Sequence, residues 1–449
     1  MYSPYFNEDA NLCKLFEKLS PHFKLTDSEL PPQKDMWNAV LPKQKFTQLK
    51  FARLHSDLLK KLEEFIVVDK LKHDEPRKLK HILAYYTEKK LSKHYPDSAK
   101  MARRKLEATP YRDGEYYLQL FRLESNHNNF LELQNQRSTE KNLLQTIEAL
   151  DAFYLINKLN YLAAILHYKN FLSLEAEVKL AAEILAHLKT TDYEHIPALN
   201  IQYHVVLTLI EPKQEAHFRE LNLLLAKHYQ LFPKQYARNL FAFAINYCIR
   251  KINFGDLKYV NELFSIYQQM LKGELMMDDG GMLSQFDYKN IVTVGLRVGD
   301  AKWTDKFIND YKNKIPKADR QNAYTFNLSK LYFYLKKFDK VLPLLQDVQY
   351  SDIFYQLDSK TTLLKTYYEL GEYLPMMALK ESFRILLRRK KLISEQNRTN
   401  YMNFMRFTMK LYRIDVKDQK KLNELRKQIT QSTNVADKGW LMEKMEEIS

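Results

Sequence analysis

The sequence predicts an all-α chain. Three observations carry this. Turn formers are scarce, with nine Gly and 14 Pro in 449 residues. Sheets and hairpins depend on such residues, so their scarcity favours long helices joined by short connections. Apolar residues recur at steps of three and four, the spacing of one helix face. No stretch of useful length shows the period-two alternation of a half-buried strand. Aromatic residues make up 13% of the chain, with 30 Tyr and 25 Phe, which suits thick helix–helix contacts.

Residues 1–45 carry Pro21, Pro31, Pro32 and Pro42 and read as short helices broken by turns. Phe51, Leu54, Leu58, Leu62 and Phe65, with Leu49 and Ile66, define an amphipathic helix over about 44–71. Pro76 after Asp74-Glu75 suits the first turn of the next helix, whose Leu79, Ile82, Leu83 and Tyr86 share one side. "PDSAKMARRKLEATP" reads as a shorter helix closed by Pro110, and "DGEYYLQLFRLES" as another. From about 139 long apolar-periodic segments follow one another: 139–158, 160–170, 173–189, 195–210, 213–231 and 234–253. Breaks fall at Thr190–Asp192, Glu211-Pro212 and Phe232-Pro233, and such short connections imply antiparallel neighbours. The organisation expected is a helical region over 1–138, a helical-repeat array over 139–430 and a tail helix over 431–449.

The last third aligns with itself. "LSKLYFYLKKFDKVLPLL" (Leu328–Leu345) matches "LLKTYYELGEYLPMMALK" (Leu363–Lys380), pairing Lys330 with Lys365, Tyr332 with Tyr367 and Phe338 with Tyr373. The turn between the two helices of each unit reads FGD, VGD, KKF and LGE, at Gly255, Gly299, Lys336 and Gly371. A Gly there ends a helix where a left-handed backbone is needed.

These features resemble the tetratricopeptide repeat, most clearly over about 285–387. That unit holds two antiparallel helices, A and B, with a late aromatic in helix A and a Gly-acidic-aromatic turn. Leu363, Tyr367, Gly371 and Tyr373 match it, and Pro316 falls where a helix-B-ending proline is expected. The family's small A–B packing residues are replaced by Val292, Val341, Leu364, Met376 and Phe383, leaving Ser329. The resemblance implies a right-handed superhelix of helix pairs whose A helices line a concave partner-binding surface. On that surface it places Lys330 and Lys365, with Asn327, Phe333, Thr361 and Tyr368 near them and Arg297 one unit earlier. Lysines among aromatics could grip an acidic peptide or its terminal carboxylate; the same residues could equally form a solvated face.

The net charge is +15 and it is local. Residues 70–105 hold 12 Lys/Arg against 4 Asp/Glu, and 388–427 hold 13 against 4, so the rest is close to neutral. Lys89, Lys90, Arg103 and Arg104 in the first segment, and Arg388, Arg389, Lys390 and Lys391 in the second, stand among tyrosines. They read either as a nucleic-acid or polyanion site or as solvated faces of amphipathic helices. Cys13 and Cys248 lie far apart, which predicts two reduced thiols, Cys248 within an apolar run. No signal peptide or roughly 20-residue apolar span is visible, so the expected location is cytoplasmic.

Catalytic and metal signatures are weak. No Walker A, G-x-G-x-x-G or G-x-S-x-G motif occurs. The closest His pairs, His73/His81 and His187/His195, are eight apart, too far for a helical zinc pair. The loop Gly273–Asp287 carries Glu274, Asp278, Asp279 and Asp287 with three glycines. It lacks EF-hand spacing and reads as an inter-repeat connection or an exposed functional loop. The prediction is a non-catalytic scaffold, without metal or cofactor, for a protein or peptide partner. Nucleic-acid binding is the alternative, and the oligomeric state stays open.

Overall fold

The computed structural model describes residues 9–22, 30–169, 177–346, 352–390 and 393–448. Among the described residues there are 21 α-helices, three 3-10 turns and no strand; one isolated antiparallel bridge joins Met277 and Leu283. Among the described residues no helix is long and apolar enough to cross a membrane. The chain divides into two compact units, Met1–Pro233 and Lys234–Ser449.

In the first unit α1 (Ala10–Leu19), α2 (Gln33–Val40) and α3 (Gln48–His73) form a small cluster. Leu12, Leu15 and Val40 pack on Leu58, and Met36 and Trp37 pack on Phe51. Then come α4 (Glu75–Glu88), α5 (Tyr95–Glu107) and α6 (Gly114–Leu133). Their shared core holds Leu79, Leu83, Ala102 and the stacked rings of Tyr95 and Phe130, 3.7 Å apart. The side chains of Asp9, Thr47, Asp74 and Asp113 cap α1, α3, α4 and α6 by accepting backbone N–H bonds. Pro76 stands in the first turn of α4, as its sequence position predicts.

The two segments expected at 139–158 and 160–170 are one unbroken helix, α7 (Glu140–Lys169). No Gly or Pro interrupts it, and Ala149, Ala152, Ile156, Leu159 and Ala163 form one continuous buried face through the expected break. α7 packs on α6 and on α9 (Pro197–Ile210), with α8 (Ala181–Thr190) before α9 and α10 (Glu215–His228) after it. Residues 173–176 of the expected helix 173–189 lie outside the described residues.

The second unit runs α11 (Lys234–Asn253), α12 (Lys258–Lys272), α13 (Gln285–Val298), α14 (Ala301–Tyr311), α15 (Lys317–Tyr334) and α16 (Phe338–Gln346). It continues with α17 (Ile353–Glu369), α18 (Tyr373–Arg389), α19 (Glu395–Arg413), α20 (Gln419–Gln431) and α21 (Lys438–Glu447). Consecutive helices pack on one another throughout. The odd-numbered helices also pack on one another, α13 on α15, α15 on α17, α17 on α19 and α19 on α21.

The four residues read from the sequence as turns share one geometry. Gly255, Gly299, Lys336 and Gly371 have φ of 94°, 92°, 56° and 72°. In each case the turn residue donates its N–H three residues back: Gly255 to Ile252, Gly299 to Leu296, Lys336 to Phe333 and Gly371 to Tyr368. The following residue donates five back: Asp256 to Lys251, Asp300 to Gly295, Lys337 to Tyr332 and Glu372 to Tyr367. This is the Schellman pattern, which satisfies the last carbonyls of the helix. The bulky residues at the small-residue positions are all enclosed: Val292, Val341, Leu364, Met376 and Phe383 have no exposed surface. The helix pairs therefore pack through large interlocking side chains.

The loop 273–287 is a built element. Leu275, Met276, Met277 and Leu283 are buried, and the Asp278 carboxylate accepts the N–H groups of Gly280 and Met282.

Candidate functional site

Counting six residues back from the turns at Gly299, Lys336 and Gly371 gives Thr293, Lys330 and Lys365. These stand on α13, α15 and α17, the stacked helices. Equivalent register should bring the three side chains to neighbouring places on one face, and their contacts agree. Lys330 Nζ donates to Thr293 Oγ1 at 2.8 Å and lies 5.5 Å above the Phe326 ring. Lys365 Nζ lies 4.6 Å above the Phe333 ring, one unit back. A cation over an aromatic face gains modest electrostatic attraction.

Further charged groups surround these two. Lys289, one turn before Thr293, pairs with Asp358 of α17 at 2.7 Å. Lys365 pairs with Asp437 at 2.6 Å. Asp437 precedes α21 and has φ 45°, the left-handed region that is costly for a residue with a Cβ. The Tyr401 hydroxyl of α19 bonds to Asp358. Burial and the Asp358 charge, together with that bond, raise its pKa.

Lys330 differs from its neighbours. The residue is half-buried, and the hydrogen-bond partner of its ammonium is a neutral hydroxyl. Desolvation is the main cause lowering its pKa to about 8; Lys289 and Lys365 lower it further, against Asp358 and Asp437. Partial burial pushes the Asp437 carboxyl up. The charge and hydrogen bond of Lys365, with the charges of Lys330 and Arg297, outweigh this and hold it below its usual value. The constellation thus contains four cations, Lys289, Arg297, Lys330 and Lys365, against two carboxylates, Asp358 and Asp437.

The other candidate residues take several positions. Arg297 is exposed in the last turn of α13. Phe333 is half-buried beneath Lys365. Tyr368 is half-buried, its ring edge-on to Trp440 of α21 at 5.2 Å and to Tyr412 of α19 at 5.8 Å. Asn327 and Thr361 are buried and donate to carbonyls of their own helices, Ala323 and Leu357. Asn327 Oδ1 is enclosed without a hydrogen bond. Lys289, Asp358, Asp437, Tyr401 and Trp440 were not singled out in the sequence. The turn register would have placed Lys289 and Thr293 beside the lysines; the tail residues carry no such signal.

The basic segments are partly neutralised. Lys89 pairs with Glu88 at 2.8 Å. Lys90 has φ 54° just beyond α4, a helix-ending position. Arg103 reaches the fully enclosed Glu124 at 2.6 Å. Arg104, Arg388, Arg389 and Lys390 are exposed, and Lys391 lies outside the described residues. Arg388 and Arg389 occupy the last turn of α18, where cations offset the helix dipole. Neither Cys13 nor Cys248 is in a disulfide. Burial pushes Cys248 up to about 12, so its sulfur stays protonated. Among the described residues no group of three or more His, Cys, Asp or Glu is arranged to hold a metal ion.

Comparison of the chain with protein-family models and with curated proteins finds no match.

Proposed function

We infer that the chain is a non-catalytic scaffold of tetratricopeptide-like helix pairs. Its A-helix surface, concave in such a superhelix, takes a protein or peptide partner through that partner's carboxylate groups. The observation that supports this most is the half-buried ammonium of Lys330, which bonds to a neutral hydroxyl. A partly desolvated cation without a carboxylate bonded to it costs folding free energy, and its retention is accounted for if an external anion completes the site from the open side. Lys289 and Lys365 lie near it, Arg297 lies near Asp437, and cations outnumber carboxylates there. The intramolecular pair of Asp437 with Lys365 supports a carboxylate as the group that would fit these lysines. The half-buried ring of Phe333 beneath Lys365 supplies apolar contact for a peptide stem.

Affinity capture with the wild-type chain and with Lys330→Met is the test. A partner retained by the wild type, released by soluble poly-glutamate and lost by the folded variant is the expected outcome. Equal capture by both would refute the reading. Polyanion binding through Arg104 and Arg388–Lys390 rests on their exposure alone, and their location at helix ends accounts for part of it.

A further inference from the structure

We propose that α7 is a self-association helix, pairing antiparallel with α7 of a second copy of this chain about a two-fold axis near Tyr154.

The starting point is the pattern around α7. Its buried face, Ala149 to Ala163, packs within the first unit. The opposite face is also apolar. Leu143, Ile147, Leu150, Tyr154, Tyr161 and Tyr168 lie within about 40° of one line at 100° per residue, in steps of four, three, four, seven and seven. That is the seam spacing by which two helices bind one another. All six are exposed, Ile147 at 55% and Tyr161 at 68%. A helix apolar on every side is normally covered on every side, and a single exposed apolar stripe of this length marks an interaction surface. Tyrosine is also enriched at interface centres.

Charge selects the occupant and its direction. Asp151 and Lys158 sit on the same flank of the stripe, either side of the helix midpoint. Antiparallel pairing one residue beyond that midpoint sets Leu143 against Tyr168 and Leu150 against Tyr161, and leaves Asp151 about 3 Å along the axis from Lys158 of the second copy, within reach, twice over. Parallel pairing would set Asp151 against Asp151 and Lys158 against Lys158. An isologous two-fold interface needs such self-complementarity, and residues 140–169 contain it.

The stripe is about 37 Å long at 1.5 Å per residue. At roughly 10 Å width it covers about 400 Å² per copy, half that of a standard stable interface. The dimer is therefore weak, with dissociation in the micromolar to millimolar range.

Sedimentation equilibrium of the full chain, from about 1 μM to several hundred micromolar, tests this. The wild type is expected to self-associate to a dimer. Leu150→Glu, an exposed position, is expected to weaken it at least 100-fold with unchanged circular dichroism. Asp151→Lys alone and Lys158→Asp alone should each weaken it about tenfold, and the double reversal should restore it. Restoration is specific to antiparallel self-pairing, since a folding defect would worsen on adding the second change. A chain that stays monomeric over the whole range, including one that binds lipid vesicles instead, overturns the proposal. So does a dimer indifferent to Leu150→Glu, or a double reversal no better than the singles.

Discussion

At the residue scale, Lys330 is the informative side chain. Its pKa is lowered from 10.5 to about 8, chiefly by desolvation, so folding at neutral pH partly strips water from a charge. Below pH 8 both folded and unfolded chains hold the proton, and the penalty is fully present. Between pH 8 and about 10.5 the folded chain has released the proton and the unfolded chain has not, so stability rises with pH. The total is roughly 3 kcal/mol from the size of the shift. Lys330→Met removes the charge and keeps most of the volume. It is expected to be more stable than the wild type at pH 7 by about 1–3 kcal/mol. The difference should shrink as pH rises towards 10, as followed by urea unfolding across that range. A variant less stable at pH 7 would show that the ammonium contributes to folding. Lys330 and Lys365 were legible in the sequence because both stand six residues before a recurring turn. Their partner Asp437 was not, because it is 72 residues beyond Lys365 and only packing brings it back.

At the scale of the element, the turns carry the organisation. Four positions separated by 44, 37 and 35 residues make the same two backbone hydrogen bonds. Local chemistry fixes them, so they could be read directly. Three are glycine and the fourth is Lys336, whose φ of 56° is strained for a side chain. Gly371→Ala is expected to destabilise by about 1–2 kcal/mol. Lys336→Gly, at the equivalent place, should be neutral or stabilise by up to about 1 kcal/mol, because relief of strain is offset by unfolded-state entropy. Thermal melts of the two variants would compare them, and destabilisation by both would mean that the four turns are not equivalent. α7 was harder to delimit. Its apolar residues occupy both faces, so the periodicity that marks a helix with one buried side is blurred. α21 was visible only as a tail, yet its Trp440, Leu441 and Met445 are buried in the core that α17 and α19 share.

At the scale of the whole molecule, the all-α class followed from composition and spacing, and the structure has it. The site was legible only in part. The sequence located the lysines but not the carboxylates between them, and the +15 charge suggested a polyanion site in segments where Arg103 and Lys89 are in fact paired. What separates the two readings is which cations an acidic ligand needs. Isothermal titration of a soluble poly-glutamate peptide at physiological salt decides this most directly. The wild type should bind, Lys330→Met should bind at least tenfold more weakly, and the combined Arg388→Glu, Arg389→Glu and Lys390→Glu variant should bind as the wild type does. Undiminished binding by Lys330→Met, with loss in the triple variant, would contradict a carboxylate-binding A-helix surface.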